Sequence, residues 1–336
     1  MQKLVNFVGE LNQMGEKRLL LIINPISGAY DKRGLDTFVS QRMAKVGYSV
    51  ETVYTKGCGD ASLYAQRAIA EGFDAVAVAG GDGTINEAAK VLCGSKVALA
   101  ILPAGSGNGL ARHLRLPIDA AMAVDVMAQE NIVECDYCSV NGTPFFCTFG
   151  IGFDAVVSDS FAHQSRRGRF MYVKSVVDHF RNYTPEEYEI EIDGGNVIKC
   201  KAFIIACCNA SQYGNNAYIA PSADITDGLL DITIVHAGSP LNTAMLGVDL
   251  FTGYINRSTM IQTFKVPKAV LRRKDEGLAH IDGEPMMMPA ELAVECHPQL
   301  LRIFAPANIE PFKPIITPVI GFFSDLKIAF RHLFKR

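Results

Sequence analysis

The stretch VAGGDGTINE, residues 78–87, decides how this chain is read. It closes an apolar run, Ala75–Ala79, with glycines set round one carboxylate, Asp82, and then passes into the amphipathic run Ile85–Leu92. Strand, tight turn and helix in that order are the signature of a βαβ unit. Working outward, the same alternation holds from residue 18 to about 130: apolar runs at 19–23, 48–54, 75–79 and 97–102, amphipathic ones at 35–46, 61–70 and 85–92. Runs apolar on both faces predict a parallel sheet covered by helices, with ligands bound where the strands end.

After about residue 131 the text changes to short alternating segments joined by turn dipeptides. Asn141-Gly142 separates residues 132–140 from 145–149, and Asp193-Gly-Gly-Asn196 separates 188–192 from 197–207. Both predict antiparallel hairpins. Further β-like runs at 229–235, 260–273, 291–296 and 300–304 imply a largely β second half, interrupted by helical candidates at 168–182 and 240–256. A length of 336 residues suits about two domains.

Composition excludes several classes. With 49% apolar and 20% charged residues the chain is globular, and a net charge of −3 gives no general attraction to nucleic acid. No apolar run approaches the length of a spanning helix, and the first twenty residues, with Lys3, Glu10 and Glu16, lack a secretory h-region. The nine cysteines have no repeating spacing, which fits reduced thiols in the cytoplasm. Cys135-Asp-Tyr-Cys138 has no second pair at zinc-finger distance and reads as buried small hydrophobes. The seven histidines, His113 and His163 included, stand alone and read as ordinary polar or capping groups.

Three glycine-bearing turns follow predicted strands: Asn24-Pro25-Ile-Ser-Gly28, Gly80-Gly81-Asp82-Gly83-Thr84 and Pro103-Ala-Gly105-Ser106-Gly107-Asn108. Such turns bring backbone N–H groups close to a phosphate, and the last two also open helices whose N-termini favour an anion. No Walker A loop or GxGxxG fingerprint occurs. A bare carboxylate among phosphate-binding amides suggests work on a metal or a proton, and phosphoryl transfer requires both. Two further acidic clusters, Ile281-Asp282-Gly-Glu284-Pro285 and Asp224-Ile-Thr-Asp227-Gly-Leu229, read equally as β-turns or, in the second case, as an oxygen-ligand metal site.

NPISG, GGDGTINE, LPAGSGNGLARHL, GIGFDA from Gly150, TDGLLDI and IDGEP resemble, in order and approximate spacing over residues 18–305, the diacylglycerol kinase catalytic superfamily of bacterial lipid, sphingosine and ceramide kinases. The resemblance implies an α/β N-terminal domain of the NAD kinase/phosphofructokinase-like type over 1–130, with a parallel sheet. A β-rich antiparallel sandwich domain for the lipid would follow over 131–308; the resemblance ends near residue 305, and residues 309–336 read as a basic amphipathic tail. It implies ATP held by Asn24, Pro25, Gly28, Thr55, Gly80, Gly81, Gly83, Thr84, Gly105, Ser106 and Gly107, with Arg166 of the Arg166/Arg167/Arg169 cluster reaching the phosphates. Asp82, Asp282 and Glu284 become the catalytic candidates, with Glu284 as base and Asp82 serving Mg²⁺ and the γ-phosphate. Asn108 and Asp154 become substrate contacts, and Asp224, Asp227 and Leu229 a Mg²⁺ site.

The lipid stays open. Val156 stands where sphingosine kinases carry a second acid, which favours diacylglycerol, while GSGN in place of the bacterial GTxND leans the other way. NAD kinases share GGDGT, and a non-catalytic regulator on the same scaffold is the remaining alternative. In the tail, Ile320, Phe323, Phe330, Leu333 and Phe334 fall at helical spacing, with Lys327, Arg331, Lys335 and Arg336 on another face. Such a helix suits an anionic membrane surface or caps the protein. The expected partners are a lipid substrate, that membrane surface and a second copy in a homodimer; the expected location is cytoplasmic and peripheral to a membrane.

Overall fold

The computed structural model describes residues 17–28, 32–162, 179, 183–192, 195–238, 240–255, 258–308 and 311–333. The N-terminal part follows the sequence closely: β1 (Lys17–Ile23), α1 (Leu35–Ala44), β2 (Tyr48–Tyr54), α2 (Asp60–Ala70), β3 (Ala75–Gly80), α3 (Asp82–Leu92) and β4 (Ala98–Pro103). The strands run parallel in the order β4-β3-β1-β2. Their alternation assigns the two faces. Leu20, Ile22, Val76, Val78, Leu99 and Ile101 pack under α2 and α3. Leu19, Leu21, Ala75, Ala77, Ala98 and Ala100 face α1 and a helix the sequence reading passed over, α5 (Ala120–Met127), which follows the short α4 (Gly109–His113). Asp119 caps α5, its Oδ1 accepting the N–H of Ala121 and Met122.

The second half is antiparallel and β-rich: β5 (Ile132–Val140), β6 (Thr143–Phe145), β7 (Thr148–Gly152), β8 (Glu186–Ile192), β9 (Asn196–Cys208), β10 (Leu230–His236), β11 (Ile261–Val266), β12 (Lys268–Arg273), β13 (Gly277–Ile281), β14 (Glu284–Met288) and β15 (Glu291–Phe304). Asn141 and Gly142 both take positive φ, 46° and 78°, the mirror-image turn that a two-residue hairpin requires. The β8–β9 hairpin forms as expected, although Asp193 and Gly194 of its turn lie outside the described residues. Helices α6 (Phe153–Ala162), α7 (Pro240–Thr252) and α8 (Ile316–Leu333) complete the described chain. Most of the helical candidate at 168–182 and the Arg166/Arg167/Arg169 cluster fall outside it.

One element joins the halves. The sequence separates 291–296 from 300–304, yet the structure makes them one strand, β15, with a register shift between His297 and Leu301. Its first part pairs with β12, the stretches Val294–His297 and Leu301–Phe304 with β5, and Ile303 meets Leu99 of β4 in parallel. The irregularity is held by buried Asp136 of β5, whose Oδ1 accepts the Gln299 N–H at 2.8 Å and whose Oδ2 accepts the Gly228 N–H at 2.7 Å. Cys135 and Cys138 sit three residues apart on β5, so they point to opposite faces, Cys135 into the first core and Cys138 into the second. All nine cysteines are free thiols.

Leu301 of β15 is fully buried in the N-terminal core. Leu301→Ala is expected to cost about 2–5 kcal/mol through the cavity it leaves. A lowered urea midpoint with one transition, read by probes in both halves, is the expected result; two separated transitions would show that β15 does not couple them.

Candidate active site

Strands β1, β3 and β4 end at one edge, and their register (Ile23 opposite Ala79, Gly80 opposite Pro103) sets the three glycine turns side by side. The turns interlock. The Ala104 N–H donates to Gly80 O at 2.9 Å, and Asn24 Nδ2 donates to Thr84 Oγ1 at 2.9 Å. A Cβ on Gly28, at φ +65°, would lie 1.7 Å from Ala104 O, and one on Gly105 would lie 2.7 Å from Gly81 Cα. These glycines therefore let the turns touch each other, a reason distinct from access for a ligand. Pro25, Gly83 and Ser106 remain exposed at the rim, while Thr55, at the end of β2, is buried with its N–H on Ile23 O.

Asp82 begins α3, and its carboxylate turns to the neighbouring loop. Oδ2 accepts the N–H of Asn108 and Oδ1 that of Gly109, each at 2.8 Å. The anion expected at the start of α4 is thus Asp82 itself, a protein carboxylate where the sequence suggested room for a phosphate. Burial pushes the Asp82 pKa up, and the two N–H donors pull it back. Asn108, buried and at φ 52°, closes the turn on itself: its side chain accepts from Gly105 N–H at 3.0 Å and donates to Gly105 O at 2.9 Å.

The IDGEP segment is both a turn and part of the site. Asp282 (φ 50°) and Gly283 (φ 84°) form the two-residue turn between β13 and β14. The Asp282 carboxylate accepts four hydrogen bonds, from the N–H groups of Phe146, Cys147 and Thr148 and from Asn86 Nδ2, all within 2.9 Å. Burial raises its pKa against the pull of those donors, and the Asp82 charge adds to the rise. Glu284, two residues on, is exposed, and its side chain carries no hydrogen bond or ion pair among the described residues. Its Oε1 lies 3.3 Å from where a Cβ on Gly83 would stand, directly over the first turn of α3. Hydrogen bonding to Glu87 raises the pKa of exposed Cys58, and the Glu284 charge contributes.

The loop 211–218 closes the cleft from the β-rich side. Ser211 N–H donates to His113 Nδ1 at 3.0 Å, and burial drives the His113 pKa down to about 4. Asn215 N–H donates to Gly107 O at 3.2 Å. Asp154, on α6, is buried with its Oδ2 on Tyr213 OH at 3.0 Å. Asp224, Asp227 and Leu229 lie in a turn docked on β5 and β15 through Asp136. There Asp227 accepts from the Leu229 N–H at 3.0 Å and pairs with Lys265 at 2.6 Å, and Asp224 accepts from Thr226. Among the described residues no three His, Cys, Asp or Glu side chains are grouped as a metal centre.

Against known proteins, residues 18–140 match the diacylglycerol kinase catalytic domain, and residues 148–305 match the YegS C-terminal NAD kinase beta sandwich-like domain. A diacylglycerol kinase of Mycobacterium tuberculosis is 30% identical over 253 residues, covering 73% of this chain and 82% of the relative. The chain belongs to the diacylglycerol kinase catalytic family. A diacylglycerol kinase of Bacillus subtilis is 27% identical over 282 residues, 82% of this chain and 92% of that one. A crystal structure of a diacylglycerol kinase from Bacillus anthracis shares the fold at TM-score 0.68, with 23% identity over 87% of this chain and 97% of that one. Membership in this lipid kinase family makes the protein a phosphotransferase with an alcohol group as acceptor.

Sequence reasoning missed two residues of this diacylglycerol kinase-family site. Asn86 lies one helical turn after Asp82 and so on the same face of α3, a spacing that pointed at it. His280 carried no such signal, because its partners come from distant segments.

Asp282→Asn replaces an acceptor of four donors by a group with one oxygen, setting an NH₂ against backbone N–H groups. The expected loss is about 1–3 kcal/mol, read as a lowered Tm. An unchanged Tm would mean that the clamp does not hold the turn.

Proposed function

We propose that this kinase transfers the γ-phosphoryl group of ATP, with Mg²⁺, to the hydroxyl of a membrane lipid, diacylglycerol or a close chemical relative. The observation that carries the reading is the contrast within one turn. Asp282 is saturated by donors, whereas Glu284 is open and lies over the glycine-rich start of α3. A general base must have a free lone pair within reach of its proton, and of the three catalytic candidates Glu284 meets that condition best.

In this mechanism the interlocked turns hold the nucleotide, with exposed backbone at Gly83 and Ser106 against its phosphates. As the lipid hydroxyl oxygen bonds to the γ-phosphorus, its proton passes to the Glu284 carboxylate and ADP leaves with the bridging oxygen. Mg²⁺ supplies charge neutralisation on the phosphate oxygens when bound. The cleft fits such an ion, because Mg²⁺ is usually held by one or two carboxylates plus substrate phosphates, and Asp82 is a hard oxygen donor at this edge. Each Asp82 oxygen accepts one N–H and keeps a second lone pair. The Asp224–Leu229 turn fits less well, since the Lys265 ammonium already neutralises Asp227 and lies 3.2 Å from Asp231. Val156, half-buried on α6, offers no charge to a cationic head group, which supports a neutral acceptor over sphingosine.

The membrane is met through the helices. No helix among the described residues is long and apolar enough to cross a bilayer. Helix α8 instead packs on the body by a stripe of Gly321, Asp325 and Ile328, with Asp325 on Arg112 at 3.1 Å, and leaves Ile320 and Phe323 about three-fifths exposed (62% and 61%). Thr252, the last residue of α7, accepts the Ile315 N–H at 2.8 Å, and α7 adds exposed Met245 and Val248 (58% and 62%). Lys327, also exposed, has the sign that suits anionic lipid.

Three measurements test this. Labelled phosphate from ATP should enter diacylglycerol in mixed micelles, offered beside sphingosine, ceramide, monoacylglycerol and soluble NAD; label only in NAD, or in none, would overturn the reading. Glu284→Gln should lower kcat by roughly 10²–10⁴-fold with the ATP KM little changed, and near-normal turnover would remove Glu284 from the chemistry. In flotation with anionic vesicles the protein should rise, and Phe323→Asp together with Val248→Asp should leave it at the bottom. Unchanged flotation, or a homodimer that those changes dissociate, would assign the patch elsewhere.

A further inference from the structure

We infer that buried Asp154 and His280, with half-buried Tyr213, form a positioning relay that sets the turn carrying Glu284, so that Asp154 acts through Glu284 and does not touch the lipid head group. The inference rests on the reading of Glu284 as the base, and it assigns roles that the motif GIGFDA alone does not.

The donor pattern fixes the relay. The Gly283 N–H donates to His280 Nδ1 at 3.3 Å, so Nδ1 is an acceptor and Nε2 carries the proton. Nε2 donates to Asp154 Oδ2 at 3.1 Å, and the same oxygen accepts from Tyr213 OH at 3.0 Å. Asp154 Oδ1 accepts the Ala155 N–H at 2.8 Å. Both side chains of the pair are buried, so a head group has no open face of Asp154 to meet.

The surrounding chain is built round this pair. A Cβ on Gly150 would stand 2.2 Å from Asp154 Oδ2 and 2.4 Å from His280 Nε2, which accounts for the first glycine of GIGFDA. The Tyr213 ring meets His280 edge-on at 5.8 Å. Its loop presses on the nucleotide turn, where a Cβ on Gly214, at φ +107°, would come within 3.1 Å of Gly107 O. The β13–β14 turn is therefore tethered twice. The Asp282 carboxylate holds one side, and His280 holds the N–H of Gly283, the residue immediately before Glu284. An exposed side chain thus starts from a fixed Cα, and a misplacement of about 1 Å is enough to lower a rate by roughly 10².

The test separates positioning from binding and from mere folding. Asp154→Asn turns one oxygen into an NH₂ and disfavours the Nε2–H form of His280. It is expected to lower kcat by roughly 10–100-fold, with both KM values within about twofold. His280→Asn places an oxygen near the position of Nδ1 and keeps the Gly283 bond, whereas His280→Gln places its NH₂ near Nε2 and loses that bond. His280→Asn should therefore retain more turnover than His280→Gln, even where both have the same Tm. ¹⁵N-histidine NMR of the full chain should show His280 as the Nε2–H tautomer in the wild type and a changed ratio in Asp154→Asn. That spectrum can be read even if no lipid accepts phosphate, so failure of the kinase reading and failure of the relay are distinguishable. A raised lipid KM with kcat intact, a kcat loss matched by the unfolded fraction, or an Nδ1–H tautomer in the wild type would overturn the relay.

Discussion

A carboxylate withdrawn from water is stable in a fold only if donors replace the water it loses, and the cleft of this kinase is organised round one that meets that condition. Asp282 draws the N–H groups of three consecutive residues, Phe146 to Thr148, and the amide of Asn86 onto its two oxygens. Hydrogen bonds to a charged group contribute about 1.5–3 kcal/mol each, against a desolvation penalty of several kcal/mol per buried ion. Its pKa is raised by burial despite the donors, so the donors offset the desolvation only in part. Geometry is the product: the β13–β14 turn, the segment before β7 and α3 cannot move independently, so the two halves of the cleft share one frame.

The acids of the site divide by what surrounds them. Asp82 and Asp282 are held by backbone donors, and the charge of each is spent largely on the protein. Asp82 in particular quenches the N–H groups at the start of α4, and Asn108 takes that of Gly105, so that under the proposed reading the amides of the α3 turn and of Ser106 and Gly107 are left for a phosphate. Glu284 differs because its own turn is rigid while its side chain faces solvent. The proposed base needs both properties, since a mobile backbone would blur its position and a carboxylate whose four acceptor sites are filled, as in Asp282, would have no lone pair to offer.

Much of this was legible in the sequence for a simple reason. In a covered parallel sheet, burial on both faces writes an apolar run, and each glycine turn marks a strand end, so β1 to β4 and the turns could be read with boundaries close to the observed ones. Asn141-Gly142 specified its hairpin because only positive φ at both positions fits that turn. Long-range pairing was illegible. β15 looked like two strands because its bulge at Pro298–Leu300 interrupts the alternation, and the support for that bulge comes from Asp136, some 160 residues away (|i−j| = 163). The same limit hid His280: a buried imidazole is written like any other histidine until Asp154 and Gly283 are seen on either side of it. The glycines were located correctly but explained incompletely, because a missing Cβ that admits a ligand and one that admits a neighbouring turn look alike in sequence.

The position of Glu284 also bears on how a lipid acceptor would be delivered. Its strand, β14, pairs with β13 alone among the described residues, so it forms an edge of the sheet. From Glu284 the strand runs through Pro285, Met286 and Met287, and Met287 is largely exposed. Methionine is flexible and polarizable and adapts to irregular apolar partners. Under the lipid kinase reading, an acyl chain lying along this edge would keep its hydroxyl end at the carboxylate and its apolar length off the charged turns. The α6 helix that supplies Asp154 packs on β13 and β14. The relay that fixes the base would then also stiffen the edge along which the acceptor arrives, placing proton transfer and lipid approach on a single hairpin.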